Sequence, residues 1–209
     1  MSRHEGRKPS FWWFVLVLFL NELGLIFLFL PAATVQEVSA REERLVAAEL
    51  GQEALDYVVS ASGRKFKLLF LDTGAVEASF TLCGYQGKDR FDDRGLGRWL
   101  FQRLQVVWMV IRQMVFRWEV MALWLPGAVI FAAPLLVDSL VQREIRKYQF
   151  SFASPLVHKK TWHFLRLLLA AAVLLPLLPV SVPPLAYPAA LGAGGLALWA
   201  MILNIQKRI

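Results

Sequence analysis

Cysteine, histidine and the common catalytic signatures are nearly missing from this chain. Its 209 residues hold one cysteine, Cys83, and three histidines. A single cysteine forms no intrachain disulfide, so the fold has to be held by packing. No GxxxxGK[ST] loop is present to cradle a nucleoside triphosphate, and neither HExxH nor GxSxG occurs. His158 and His163 stand five apart in HKKTWH, too far for adjacent positions on one helix face, and no cysteine or acidic pair completes a ligand set. No metal, no cofactor and no enzymatic reaction is therefore expected. Acidic residues are also short, with 16 Asp and Glu against 23 Lys and Arg and a formal charge of +7. Such an excess suits nucleic acid or a membrane surface, and its placement has to decide between them.

Hydrocarbon is what the chain has in quantity. A hydrophobic share of 57% and a mean hydropathy of +0.48 exceed what a water-soluble domain carries. Four apolar stretches are long enough to cross a hydrocarbon core of roughly 30 Å as helices. They are 11–31, 120–137, 164–180 and 185–205. The first is longer than the roughly 7–15 residue core of a cleaved leader and contains Glu22, so it is read as a retained span. Pro126, Gly127 and Pro134 predict a bend in the second. The pair of prolines in VSVPP separates the third from the fourth as a helical hairpin. The expected fold class is an all-α integral membrane protein: four transmembrane helices, with a mainly helical external segment between helices 1 and 2.

The basic residues flank these spans. Arg3, Arg7 and Lys8 precede the first, Arg143, Arg146, Lys147, Lys159 and Lys160 lie between the second and third, and Lys207 and Arg208 follow the fourth. Short flanks rich in Lys and Arg stay on the cytoplasmic side, so both termini (1–10 and 206–209) and the loop 138–163 are expected in the cytoplasm of a bacterial inner-membrane protein. Segment 32–117 then lies outside. Its twelve Lys or Arg against eleven Asp or Glu leave it close to neutral.

Within that segment, Thr34 with Glu37 and Ser39 with Glu42 show capping-box spacing, which predicts a helix over 35–59. Val38, Leu45, Ala48, Leu55 and Val59 would form its apolar side and Arg41, Glu42, Arg44, Glu49 and Glu53 its polar sides. Residues 60–96 read as irregular. From Gly97 to Trp118 the chain turns helical again, with Arg98, Gln102, Gln105, Arg112 and Gln113 on a narrow polar face suited to the membrane interface. One long helix is expected to continue from it into the second span. Arg103, Arg112 and Arg117 keep this stretch out of hydrocarbon.

Three features are candidates for function. Glu22 sits near the middle of the first span, where a carboxylate must be protonated, paired or turned toward protein; it suits a helix-packing contact or a proton or ion pathway. Ala189, Ala193 and Ala197 repeat every fourth residue in the fourth span and permit close helix approach. The basic loop is a topogenic signal, and it could also meet anionic phospholipid headgroups or an acidic protein. As a footprint for DNA it is weak, and direct DNA binding is not expected. Arg166, near one end of the third span, is expected to snorkel to the interface.

The run LLVDSLVQREIRKYQFSFASPLVHKK resembles that of a family of integrating conjugative element membrane proteins, an uncharacterised-domain family encoded near the TraD-like type IV coupling protein. Asp138, Arg143, Arg146, Lys147, Tyr148, Ser154, His158 and Lys160 carry the resemblance, together with Trp12, Trp13 and Glu22 in the first span. QFSFAS departs from the family pattern, which tends to have Gly and an acidic residue before the serine. The resemblance implies a non-catalytic accessory of a conjugative type IV secretion system, with the TraD-like coupling ATPase and other secretion components as partners and homo-oligomerisation open. A small transporter using Glu22, or an exclusion protein whose external segment recognises a donor apparatus, are the alternatives.

Overall fold

The structure, a computed structural model, describes residues 10–82, 95–149 and 154–205, without the side chains of residues 95, 96 and 147. All regular structure among them is helical. In chain order the helices are α1 (Phe11–Phe29), α2 (Ala32–Leu50), α3 (Gln52–Phe66), α4 (Ala75–Leu82), α5 (Gly95–Leu123), α6 (Leu125–Tyr148), α7 (Pro155–Leu174) and α8 (Ala186–Leu203). Four stretches are long and apolar enough to cross a membrane: Phe11–Phe29, Leu125–Arg146, Pro155–Leu177 and Ala186–Leu203. The chain is an all-α protein with four such helices and a helical segment between the first and second. Arg3, Arg7, Lys8, Cys83, Phe150, Phe152, Lys207 and Arg208, and the turn-rich run CGYQGKDRFDDR, lie outside the described residues.

The segment after α1 differs from the sequence expectation in three respects. The single helix over 35–59 is two helices, because Gly51 between them has φ +92°, a conformation that L side chains rarely adopt. Residues 60–82 are helical rather than irregular: α3 runs to Phe66, a π-helical turn spans Lys67–Leu71, and α4 follows. The capping boxes are absent. Pro31 starts α2 directly, which puts Thr34 and Ser39 inside the helix, where their side chains have no free N-terminal amides to accept from.

The side of α2–α3 that is buried also changes. Val35, Glu42 and Val46 of α2 and Val58, Ala61 and Ser62 of α3 are the buried positions, whereas Ala48 and Val59 are exposed. The break at Gly51 resets the helical phase, so a face extrapolated across it cannot hold.

These helices close over α5. One apolar cluster joins Ile26 and Leu30 of α1 to Val35, Val106, Val110, Met114 and Leu177. A second joins Val46 and Val58 to Phe116 and Val120, with Tyr187 packed against it. Phe66 and Phe70 stack edgewise on Trp108, whose Nε1 donates to Ser79 Oγ at 3.0 Å. Val120 thus belongs to this layer. The chain breaks at Trp124 and α6 begins anew with Pro126 in its first turn, so the expected continuous helix into the second span is interrupted.

The remaining three spans pack on one another. α8 lies between α6 and α7: Gly195 faces Phe131 and Leu135 of α6, and Gly194 faces Leu168 of α7. Much of the sequence read as a basic loop is helix, since α6 runs to Tyr148 and α7 starts at Pro155, capped by Ser154 Oγ accepting from the Val157 amide.

Candidate functional site

α5 is the element that ties the molecule together. Arg103 Nη1 donates to the Leu30 carbonyl at the end of α1, at 3.0 Å. Arg117, fourteen residues and about 21 Å further along the helix, reaches the turn that ends α7. The helix therefore bridges the ends of two spans. Arg103 also lies over the Trp99 ring, which meets Phe27 of α1 edge-on.

Around Arg117 a polar centre is closed off from solvent. Arg117 and Glu42 are 1% and 2% exposed, and an isolated charge of either kind at that depth would be costly. Here every strong donor has an acceptor. Arg117 Nε lies 3.0 Å from both oxygens of Glu42, and Nη2 lies 2.7 Å from Oε1. Nη1 donates to the carbonyls of Leu175, Pro176 and Leu178, and Nη2 to that of Val180. Those carbonyls end a helix in a stretch with Pro176 and Pro179, where regular backbone pairing stops.

Glu42 is completed from two further directions. The Val182 amide donates to its Oε1 at 2.8 Å, and Gln113 Nε2 donates to its Oε2. Gln113 Oε1 in turn accepts from Ser39 Oγ at 2.5 Å. Lys65 pairs with the buried Glu119, two residues beyond Arg117 on α5, and Glu49 accepts from the Leu185 amide at 3.2 Å. The arrangement joins α2, α5 and the α7–α8 turn by geometry alone. It holds no exposed nucleophile, and among the described residues no three His, Cys, Asp or Glu side chains gather as a metal site.

The sequence reading missed this centre. It placed Glu42 on a solvated side and put Gln113 on the same face as Arg98, Gln102, Gln105 and Arg112. The first of these is buried, and Gln113 turns inward while the others stay exposed. The available signal was Gln113 and Arg117, four apart among Val106, Val110, Met114 and Val120, which marks polar groups on a buried face. Their partner, Glu42, is about seventy residues away in sequence and no local pattern names it.

The residues singled out from the sequence fall into separate places. Glu22 lies on α1, partly exposed, and its Oε1 is turned inward without a hydrogen-bond partner. Asp138 Oδ2 accepts from Trp199 Nε1 of α8 at 2.7 Å, and its Oδ1 lies 3.4 Å from Gln142 Nε2. Arg143, Arg146 and Lys147 follow on the last turns of α6, with Tyr148 largely exposed; Lys159 and Lys160 are exposed on the first turns of α7. His158 Nδ1 lies 3.2 Å from the Met201 carbonyl, and Asn204 Oδ1 accepts from the Ser154 amide. These contacts gather the basic residues at one end of the α6–α8 bundle, opposite the Arg117 centre. Arg166 stacks on Trp162 and Phe11, at 4.8 and 5.7 Å from the ring centroids. Of the alanine stripe, Ala197 is buried, Ala193 half-buried and Ala189 exposed, and the closest helix approaches use Gly194 and Gly195 instead.

Four apolar helices, a helical layer fastened across their ends and a buried polar centre that holds helices together define a polytopic membrane protein. A family model described as IncC plasmid conjugative DNA transfer protein DtrJ-like matches residues 28–206, and the chain belongs to this DtrJ-like family. That membership supports a role in conjugation and agrees with the resemblance to a conjugative-element family. No curated protein and no solved structure is significantly similar to the chain.

Proposed function

We propose that this protein is a non-catalytic inner-membrane accessory of a conjugative type IV secretion system that binds the membrane part of the coupling ATPase and thereby supports DNA transfer. In this reading both termini and the basic end of the α6–α8 bundle face the cytoplasm, where Arg143, Arg146, Lys147, Lys159 and Lys160 meet acidic protein and anionic phospholipid headgroups. The observation that carries the partner contact is Glu22, a carboxyl in an apolar span with an oxygen that has no donor among the described residues. The residue is partly exposed, so a turn of the side chain would carry that oxygen from the interior to a donor on a partner's transmembrane helix. α1 meets the α6–α8 bundle mainly along α7, and Trp12, Trp13, Phe14, Leu18 and Leu20 on it are each about half exposed. Ala197, Gly194 and Gly195 of α8 are used inside the molecule, so α1 supplies the partner surface and, of the alanine stripe, only Ala189 is exposed for a contact.

The test is affinity purification of the tagged chain from gently solubilised donor membranes, with the coupling ATPase quantified against an unrelated four-span control. Stoichiometric recovery that is lost in Glu22→Leu and retained in Glu22→Gln supports the reading. Recovery of the chain alone refutes it. Charge reversal of Arg146 and Lys147 that leaves both association and DNA transfer unchanged removes the basic end from the interface.

A further inference from the structure

A groove of about 300 Å³ opens between α2, α3 and α5, bordering the Arg117 centre at Ser39 and Gln113 and apart from the Glu22 surface. That volume is at the small end of the range for small-molecule sites. Its apolar walls are Val35, Val59, Met109 and Phe116, and its polar members are Gln36, Ser39, Glu43, Ser62, Arg112 and Gln113. The charges are what set it apart. Glu43 and Arg112 both border the groove, and among the described residues neither forms an ion pair or a side-chain hydrogen bond. A cavity that offers one unpaired carboxylate and one unpaired guanidinium is complementary to a ligand carrying both signs.

The buried polar members narrow the cationic end. Ser62 and Gln113 are 6% and 7% exposed. Ser62 Oγ spends its hydrogen on the Val59 carbonyl, and Gln113 gives one amide hydrogen to Glu42 and accepts only from Ser39. Both present remaining oxygen lone pairs. Acceptors of this kind, with Glu43 beside them, favour a primary ammonium that has N–H groups to donate over a quaternary one that has none. Arg112 suits a phosphate through its planar fork of donors.

Position decides where such a group comes from. Val35 belongs to the apolar cluster that also contains Ile26 and Leu30, and Met109 packs against it. Val35 stands on the first turn of α2, five residues beyond Leu30 at the end of the first span and about one helical turn, roughly 5 Å, from where α2 begins. The headgroup layer on each side of a bilayer is of that depth. We propose that the groove binds the phosphoethanolamine headgroup of a membrane phospholipid, with the phosphate on Arg112 and the ammonium between Glu43, Ser62 and Gln113.

The experiment measures binding of short-chain phosphatidylethanolamine and phosphatidylcholine to the full chain in detergent, by the rise in Tm with lipid concentration. Ethanolamine lipid is expected to bind about tenfold more tightly than choline lipid, a margin that one charge-assisted hydrogen bond supplies. Glu43→Gln should remove that preference and Arg112→Gln should weaken both lipids alike, each leaving the lipid-free Tm in place, since both side chains are exposed. Ser62→Ala provides an independent variant from the buried side. Free phosphoethanolamine is the second arm: failure to compete at equal concentration supports a lipid, and full competition overturns the lipid source in favour of a soluble zwitterion. Equal affinity for the two lipids, a preference that survives Glu43→Gln, or an affinity for both that survives Arg112→Gln overturns the site.

Discussion

Arg117 Nη2 and Glu42 Oε1 meet at 2.7 Å in a place that water does not reach, and between them they fasten α2, α5 and the α7–α8 turn. A buried pair of this kind is stabilising only because its remaining donors and acceptors are also used, here by four carbonyls, one amide and Gln113.

Removing one partner should therefore be far worse than removing both. Glu42→Ala or Arg117→Ala is expected to cost about 3–5 kcal/mol, because each leaves an uncompensated buried charge. The double variant Glu42→Leu with Arg117→Met should cost clearly less than the sum, although the carbonyls of 175–180 lose their donor. Thermal unfolding in detergent across the double-mutant cycle checks this. Strict additivity would show that the two residues do not act as a pair.

Gly51 offers a test of backbone rather than side-chain energetics. A methyl group added there meets no atom within 4 Å, so Gly51→Ala changes only the conformational preference at φ +92°. A loss of about 1–3 kcal/mol is expected. An unchanged Tm would mean that α2 and α3 need no left-handed hinge.

At the α6–α8 contact, size decides. A Cβ at Gly195 would lie 3.6 Å from Phe131 and 3.8 Å from Leu135, ordinary contact distances, so Gly195→Ala should be tolerated. Gly195→Leu overfills the same space and should destabilise by about 1–3 kcal/mol. Protease resistance of the two variants, measured side by side, distinguishes them.

Trp199→Phe keeps the ring packing of α8 but removes the donor to Asp138. An expected loss of about 1 kcal/mol follows from one hydrogen bond, and Asp138→Asn, which keeps an acceptor, should lose less. If Trp199→Phe is neutral, the indole contributes by packing alone.

The Arg117 centre also fixes which connections share a side of the bundle. Segment 32–82 and the 178–185 turn lie together, and Gln149 and Ser154 lie at the other end. In a Cys83→Ser background, Gln36→Cys and Val180→Cys should react with an impermeant maleimide from one face of the membrane and Gln149→Cys from the opposite face. Labelling of Gln36→Cys and Val180→Cys from different faces would break the arrangement.

How much of this was legible beforehand depended on range. The four apolar helices, the break at VSVPP and the amphipathic character of α5 follow from periodicity and from proline chemistry that act within a few residues. The interruption at Gly51 was missed because a glycine in a helical pattern is compatible with continuation, and only its positive φ shows otherwise. The sequence reading saw small residues in α8 but favoured Ala189, Ala193 and Ala197, whereas Gly194 and Gly195 make the contacts, because helix phase relative to two neighbours is a tertiary quantity.

By itself, then, the amino-acid order determined a membrane protein of four helices, since hydrocarbon length and charge-flanked runs are read by the bilayer one segment at a time. The pairing of Glu42 with Arg117, the groove between α2, α3 and α5, and the placing of Glu22 on a span that meets the α6–α8 bundle mainly along α7 were decided by the tertiary structure. Each depends on residues up to 140 positions apart, as Val182 and Glu42 are, brought together by packing whose free energy belongs to no single stretch of chain.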